Sequence, residues 1–385
     1  MPASGQKSRQ VKSQKLADLL RLFLFLGLTA FGGPAAHLVL MQRECVERRN
    51  WMSRERFLDL VGACNLLPGP GSTQVAMAVG YCRAGWLGLL VAGICFILPA
   101  SLATLALAWA YVRFGSLTQM QGLLYGAKPV MVAIIAQAIW NLGRTAYRRW
   151  SLALVGIVCF VGALGGVPPI AVLLTSGGVV LLAVSLRSRP MAANGFAWLP
   201  TGLAAASAGA TGLASLFLVF LKLGVVVFGS GYVLLAFLKT DLVDRLHWVT
   251  LPQLLDAVTA GQVTPGPVFA TATFLGYLIH GWAGAALATV AIFLPSFFMS
   301  AMVGALAGRL RKSAQAGAFL DGVNAAAVAL MAFVALALGR ATLVDAWTAS
   351  LCLVSTALLV CFRINATWLI LAGAILGIVL KAMSF

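Results

Sequence analysis

Two short sequences, Pro68-Gly69-Pro70 and Pro265-Gly266-Pro267, interrupt long apolar runs where a helix would otherwise continue. Proline removes a helical N–H and drives the preceding residue out of the α region, so neither run can be one unbroken helix. Backbone freed at bilayer depth must be satisfied by protein or must line a watery cavity. A half-helix beginning at Gly69, with Pro70 at its first helical position, would aim unpaired N–H groups and the positive end of its dipole into the gap. That arrangement suits an anion. Ser72 and Thr73 add hydroxyls on the first turn, Thr264 adds one beside the second break, and an amide, Asn65 or Gln262, stands three residues ahead of each P-G-P. A second pair of breaks falls at Phe31-Gly32-Gly33-Pro34 and Phe228-Gly229-Ser230, whose glycines can offer further N–H groups at close range. One isolated proline would read as a kink in a packed helix. The same P-G-P at one register in two places reads as a site.

Charge inside the apolar runs points the same way. Lys128, in Gly126-Ala127-Lys128-Pro129, and Lys222, in a run of Leu, Val and Phe, are expensive at that depth and are candidate substrate contacts. The competing reading for each is snorkelling to the interface or pairing with a carboxylate. Of the acidic residues, Asp59 and Asp256 recur identically ahead of P-G-P. They are candidate proton-coupling groups, or else they cap helices and pair with Arg48 and Arg245.

The elements that must hold these residues are membrane spans. Of 385 residues, 61% are hydrophobic and only 10% charged, against about 25% charged in soluble domains. With a mean hydropathy of +0.97 there is too little polar side chain to cover a water-facing surface, which excludes a soluble enzyme. The net charge of +17 is clustered at the flanks of apolar runs, as beside an anionic leaflet, and no basic-aromatic stripe suggests nucleic acid. Seven cysteines without a CxxC pair indicate neither a disulfide framework nor a zinc site. Residues 22–31 have the apolar core of a signal peptide but no A-x-A cleavage site closely following, and belong to the working fold.

Placing residue n beside n+197 aligns FLFLGLTAFGG with FLKLGVVVFGS and gives 17 identities in the 49 positions from 22 to 70. After a one-residue slip, n+196 joins Gly88 to Gly284, Pro99 to Pro295 and Gly126 to Gly322. The chain is therefore a tandem duplication, with a basic cytoplasmic segment at 1–17, repeats at 18–186 and 213–385, and a linker at 187–212. The fold expected is an all-α polytopic membrane protein with broken or re-entrant helices at P-G-P. Basic clusters at the start of the chain, 43–56, 144–149, 187–189 and 309–312 cannot all be cytoplasmic if every apolar segment crosses once, which favours inverted repeats.

The runs FGGPAAH, FLDLVGACNLLPGP, GYCRAG and FILPA in the first half, with WVTLPQLLDAVTAGQVTPGP and ATFLGY in the second, strongly resemble the long-chain chromate transporter family over nearly the whole chain. The resemblance implies a bacterial inner-membrane carrier exporting chromate, a tetrahedral dianion mimicked by sulfate, on the membrane potential or a proton gradient, and conferring chromate resistance. By motif position it singles out Phe31, Gly32, Gly33, Pro34, His37, Asn65, Pro68, Gly69, Pro70, Gly261, Gln262, Thr264, Pro265, Gly266 and Pro267. The sequence departs from many members at Gly71 and Gln74, where they carry an amide and a carboxylate. The partners expected are chromate, membrane lipid and a second copy in a homodimer; no cofactor, metal or nucleic acid is expected. The rival classes are a carrier of sulfate or another oxyanion, a lipid or organic-acid transporter, and an anion channel. An intramembrane enzyme finds no HExxH or GxSG support.

Overall fold

The computed structural model describes residues 3–31, 33–115, 117–187, 212–228, 231, 233–310, 314–362 and 364–383. Gly32, Gly229 and Ser230 lie outside them, as does nearly all of the linker. The first half runs α1 (Ala3–Thr29), α2 (Gly33–Gln42), a π-helical turn (Arg43–Arg48), α3 (Arg54–Cys64), α4 (Gly71–Phe114), α5 (Thr118–Ala146), α6 (Trp150–Leu164) and α7 (Pro169–Arg187). The second half repeats this order with α8 (Leu213–Val226), α9 (Leu234–Leu238), a π-helical turn (Lys239–Arg245), α10 (Leu251–Val263), α11 (Thr271–Leu310), α12 (Ala314–Thr342), α13 (Ala346–Cys361) and α14 (Ala366–Met383). No strand occurs among the described residues, and six helices are long and apolar enough to cross a membrane.

Neither α4 nor α11 is one rod. Ala84 and Gly85 leave helical geometry, Gly85 with φ of 66°, and His280 and Gly281 do the same at the matching place, Gly281 with φ of 59°. A left-handed residue at each bend explains the glycine. The bend folds the helix back on itself: the backbones of Gly80 and Gly88 touch, as do those of Gly276 and Gly284. In a straight helix eight residues would separate them by about 12 Å. Each helix is therefore a short arm (71–83 and 271–279) and a long arm (86–114 and 282–310).

The short arm in turn runs back along the helix before it. Arg83, at the end of the first short arm, lies 4.9 Å from the ring centre of Trp51, just ahead of α3. Between them α3 and the short arm thus make a re-entrant hairpin with Pro68-Gly69-Pro70 at its tip, and α10 with 271–279 makes its counterpart around Pro265-Gly266-Pro267.

Equivalent helices of the two halves pack antiparallel. Gly143 of α5 lies against Val328 of α12, and Gly339 of α12 against Val132 of α5. Gly126 meets the backbone of Gly373 on α14, and Gly322, its repeat partner, meets Ser176 and Gly177 on α7. A twofold relation between antiparallel spans puts the axis in the membrane plane, so the repeats are inverted, as the charge offset suggested. The long arm of α4 shows the consequence. It leaves the base of the first hairpin at Gly85, passes Gly266 at Ala100, and reaches Asp256 near the base of the second hairpin through Tyr111. The two hairpins enter from opposite faces.

Re-entrance also reconciles the basic clusters. Arg43, Arg48, Arg49, Arg54, Arg56, Arg83, Arg144, Arg148, Arg149 and Arg187 come to the face from which the first hairpin enters, and α11 ends there too. Arg113, Arg245, Arg340 and Lys381 lie at the other. Exposed apolar side chains such as Val158, Leu182, Leu353 and Ile375 run along the outer helices, where lipid takes the place of water.

Inversion makes a labelling prediction. In a background without the seven native cysteines, single cysteines at positions 145 and 341 are expected to react with an impermeant maleimide from opposite faces. Labelling from the same face would reject the inverted arrangement.

Candidate functional site

The two tips are joined through a reciprocal pair of backbone hydrogen bonds. Gly69 N–H donates to the carbonyl of Val227 at 2.6 Å, and Gly266 N–H donates to the carbonyl of Ala30 at 3.0 Å. Residues 30 and 227 are one position of the repeat, so each tip is pinned to the end of the other half's first helix. Gly69 and Gly266 have φ of 119° and 93°, which only glycine adopts cheaply. A Cβ on Gly266 would stand 2.8 Å from that of Ala100, and one on Gly69 would stand 3.0 Å from Ser296 Oγ. Positions 100 and 296 are again one position of the repeat.

This corrects two details of the sequence reading. The amide hydrogens of Gly69 and Gly266 are engaged by the opposite half rather than offered to a ligand. Pro70 caps α4 from outside, with ψ of 89°, and the helix begins at Gly71. Gln74 N–H makes the first intrahelical bond, to Pro70 at 3.0 Å, so the first-turn amides are those of Gly71, Ser72 and Thr73. Asn65 Oδ1 comes 3.5 Å from the place of a Cβ on Gly71, with Asn65 itself exposed. After the second tip a 3₁₀ turn (Val268–Ala270) precedes α11.

His37 ties the break after α1 to the first tip. Its Nε2 lies 3.1 Å from the carbonyl of Ala30, which can only accept, so Nε2 carries the proton. Nδ1 of the neutral ring then accepts from Ser72 Oγ at 3.1 Å. Ser72 is thereby a donor to His37, and the repeat partner of His37 is Leu234, so this link exists in one half alone. Pro34 begins α2 beside Gly33. Gln74 donates from Nε2 to the carbonyl of Pro68 at 2.6 Å, a bond that an ionised carboxylate could not make. Thr264 Oγ1 pairs with Thr104 at 3.2 Å and reaches the carbonyl of Gly261 at 3.1 Å. Five buried polar atoms at or beside the tips have no hydrogen-bond partner among the described residues: Thr73 Oγ1, Gln74 Oε1, Ser101 Oγ, Gln262 Nε2 and Ser296 Oγ. An unsatisfied buried group costs about 1–3 kcal/mol, so such a concentration marks a place that water or a ligand completes.

Both lysines are paired. Lys128 Nζ lies 2.9 Å from Asp256 Oδ1, whose Oδ2 accepts from Tyr111 at 3.0 Å. Lys222 Nζ lies 2.8 Å from Asp241, across the break between α8 and α9. The alternative pairing of Asp256 with Arg245 is overturned, because Arg245 reaches Asp241 at 3.7 Å and Arg48 bonds Glu44 at 2.7 Å. Asp59, on α3, is half-buried. Lys128 also lines a cavity of about 750 Å³ that includes Gln253 and Leu278 from the base of the second hairpin, together with Tyr111, Tyr125 and Lys381. The structure therefore brings the tips, His37, Ser72 and Gln74 together. Lys128 and Asp256 stand apart from them, below a vestibule, and Lys222 belongs to the packing of α8.

The chromate transporter family model matches residues 17–182 and again 214–378. The chain belongs to this family. It is 34% identical over 371 residues to the chromate transport protein of Cupriavidus metallidurans, covering 94% of this chain and 92% of that one. It is 32% identical over 340 residues to the probable chromate transport protein of Synechococcus elongatus, covering 86% of each. The chromate transport protein of Pseudomonas aeruginosa is 33% identical over 341 residues, covering 84% of this chain and 81% of the relative. No solved structure matches the chain.

In this member of the chromate transporter family, identity matching across the repeat overlooked a pair of acids. Glu44 and Asp241 occupy one register, both are buried, and each sits in a π-helical turn anchoring two cations: Arg48 and Arg49 for Glu44, Lys222 and Arg245 for Asp241. Comparing the halves by charge class rather than by identity finds them.

The ion pair between the halves is expected to be energetically coupled. Lys128→Gln and Asp256→Asn should each lower the melting temperature in detergent, by an amount corresponding to about 3 kcal/mol, because each leaves a charge unpaired. The double variant should recover most of that loss in scanning fluorimetry. A double variant that loses as much as the two single variants added together would show that the contact carries no coupling.

Proposed function

We propose that this protein is a carrier that exports chromate from the cytoplasm, binding the dianion where the two P-G-P tips meet. The observation that carries the reading is the reciprocal tip contact, with the first-turn amides of α4 and the unpaired hydroxyl and amide groups around it. A dianion moved into a low-dielectric site without compensation would cost tens of kcal/mol, so donors must replace its hydration shell. Hydrogen bonds from Gly71, Ser72 and Thr73 amides, aided by the helix dipole, and from Thr73, Gln262 and Ser296 side chains supply such a shell on both sides of the axis.

Charge placement and the membrane potential support export. The arginine-rich face is the cytoplasmic one by the positive-inside tendency, and it is the face from which the first hairpin enters. Across about 100 mV, interior negative, a dianion gains about 4 to 5 kcal/mol on leaving, so export can run downhill electrically. Gln74 cannot titrate, so proton coupling at the first tip is not required. The ion pair of Lys128 with Asp256 closes the outer vestibule below its floor, and an anion arriving from the tips competes with Asp256 for Lys128. In a bacterium the carrier works in the inner membrane.

Export makes chromate resistance in a sensitive host the readout. Asn65→Ala, Pro68→Ala and Pro267→Ala are each expected to abolish it while the protein still inserts, as judged by membrane immunoblot; wild-type resistance in all three would remove the tips from consideration. Counterflow in proteoliposomes tests the carrier mechanism itself. Labelled chromate should accumulate against an unlabelled gradient, with sulfate competing better than phosphate at neutral pH. Current without exchange would instead indicate a channel.

A further inference from the structure

The base of the first hairpin holds a second cavity, of about 420 Å³, on the arginine-rich face and away from the tips. Arg56 and Arg83 line it together with Trp51 and Tyr81. Neither arginine makes an ion pair among the described residues, whereas Arg48 and Arg49 share Glu44. Arg83 Nε is buried without a hydrogen-bond partner among the described residues. Its guanidinium lies over the Trp51 ring at 4.9 Å, and that of Arg49 lies over the same ring at 5.6 Å. The ring is placed by Asn50, in the left-handed region with φ of 48°, and by Trp51 N–H donating to Cys45 at 2.8 Å. An indole face holds a guanidinium in position while leaving its N–H edge free, which presents a planar donor fork rather than a neutralised pair.

The inverted repeat supplies an internal comparison. Trp51 and Tyr81 recur as Trp248 and Tyr277, so the shape of this base is kept on the opposite face. Its cations are not: Arg49, Arg56 and Arg83 become Leu246, Gln253 and Ile279. Packing alone would not require that difference, because Tyr81 meets Trp86 edge-on at 5.7 Å and Tyr277 meets Trp282 in the same way at 5.5 Å.

We infer that Arg83, held against Trp51, and Arg56, which lines the same cavity, form a capture site for a tetrahedral oxyanion on the arginine-rich face, ahead of the site at the tips. Bidentate guanidinium contacts suit such an anion. Capture at one base and not at its counterpart raises the local anion concentration where transport starts and leaves the opposite face free to release.

The kinetic part of the test rests on the transport reading above, and the binding part does not. In everted membrane vesicles, Arg83→Gln and Arg56→Gln should each raise the half-saturating chromate concentration about tenfold with the maximal rate within about twofold of wild type, and Arg83→Lys should fall between. In purified full-length protein, chromate absorbs where indole emits, so the quenching lost in Trp51→Phe reports occupancy of this cavity. That quenching should vanish in Arg83→Gln. Uptake by wild type with both glutamine variants unchanged would overturn the site, as would a lower maximal rate at unchanged half-saturation. Arg83-dependent quenching of Trp51 without any chromate uptake would uphold the site and remove the transport reading instead.

Discussion

Backbone amides inside a bilayer have no water to turn to, and this fold is organised around satisfying those that two broken helices release. The solution is exchange. Each P-G-P tip donates the hydrogen of its glycine to the carbonyl that ends the opposite half's first helix. Neither half could make that bond alone, since the acceptor for one tip is always in the other copy. Duplication and inversion are therefore conditions for having interrupted helices at this depth.

From that constraint the polarity of the centre follows. The tip glycines are committed to structure, and so is the Ser72 hydroxyl, which meets His37 in a chain ending on the same Ala30 carbonyl that Gly266 uses. What these bonds leave unengaged among the described residues are the next groups outward: the first-turn amides of α4 and side chains without partners beside the tips. The arrangement is not symmetric, because Leu234 replaces His37 and a 3₁₀ turn replaces the clean start of α4. The two tips thus share one plan but differ in chemistry and in how the following helix starts.

Charge is handled in layers. Buried acids in the π-helical turns collect cations, Glu44 those of its own turn and Asp241 also Lys222, which ties α8 to the turn after α9. Deeper, Lys128 and Asp256 join α5 to α10, a bridge between halves below an open vestibule. A lone ammonium there would be costly, and pairing with Asp256 lowers that cost.

Much was legible in the order of residues alone. The all-helical membrane class, the duplication, the breaks at P-G-P and the opposed halves follow from apolar run lengths, proline chemistry and the spacing of basic clusters. These are local or one-dimensional properties, and the chromate transporter resemblance of those motifs matches the family to which the chain belongs. Which amides stay free, which carboxylate each lysine meets, and that Asp256 turns to Lys128 rather than Arg245 were decided only in three dimensions. For the tips and for Lys128 with Asp256 the partners sit in opposite halves, more than a hundred residues apart, whereas Lys222 meets Asp241 across a break within its own half. Hydrogen bonds and ion pairs are short-ranged, so they report where chains cross, and no spacing within a single repeat encodes how two inverted copies interlock.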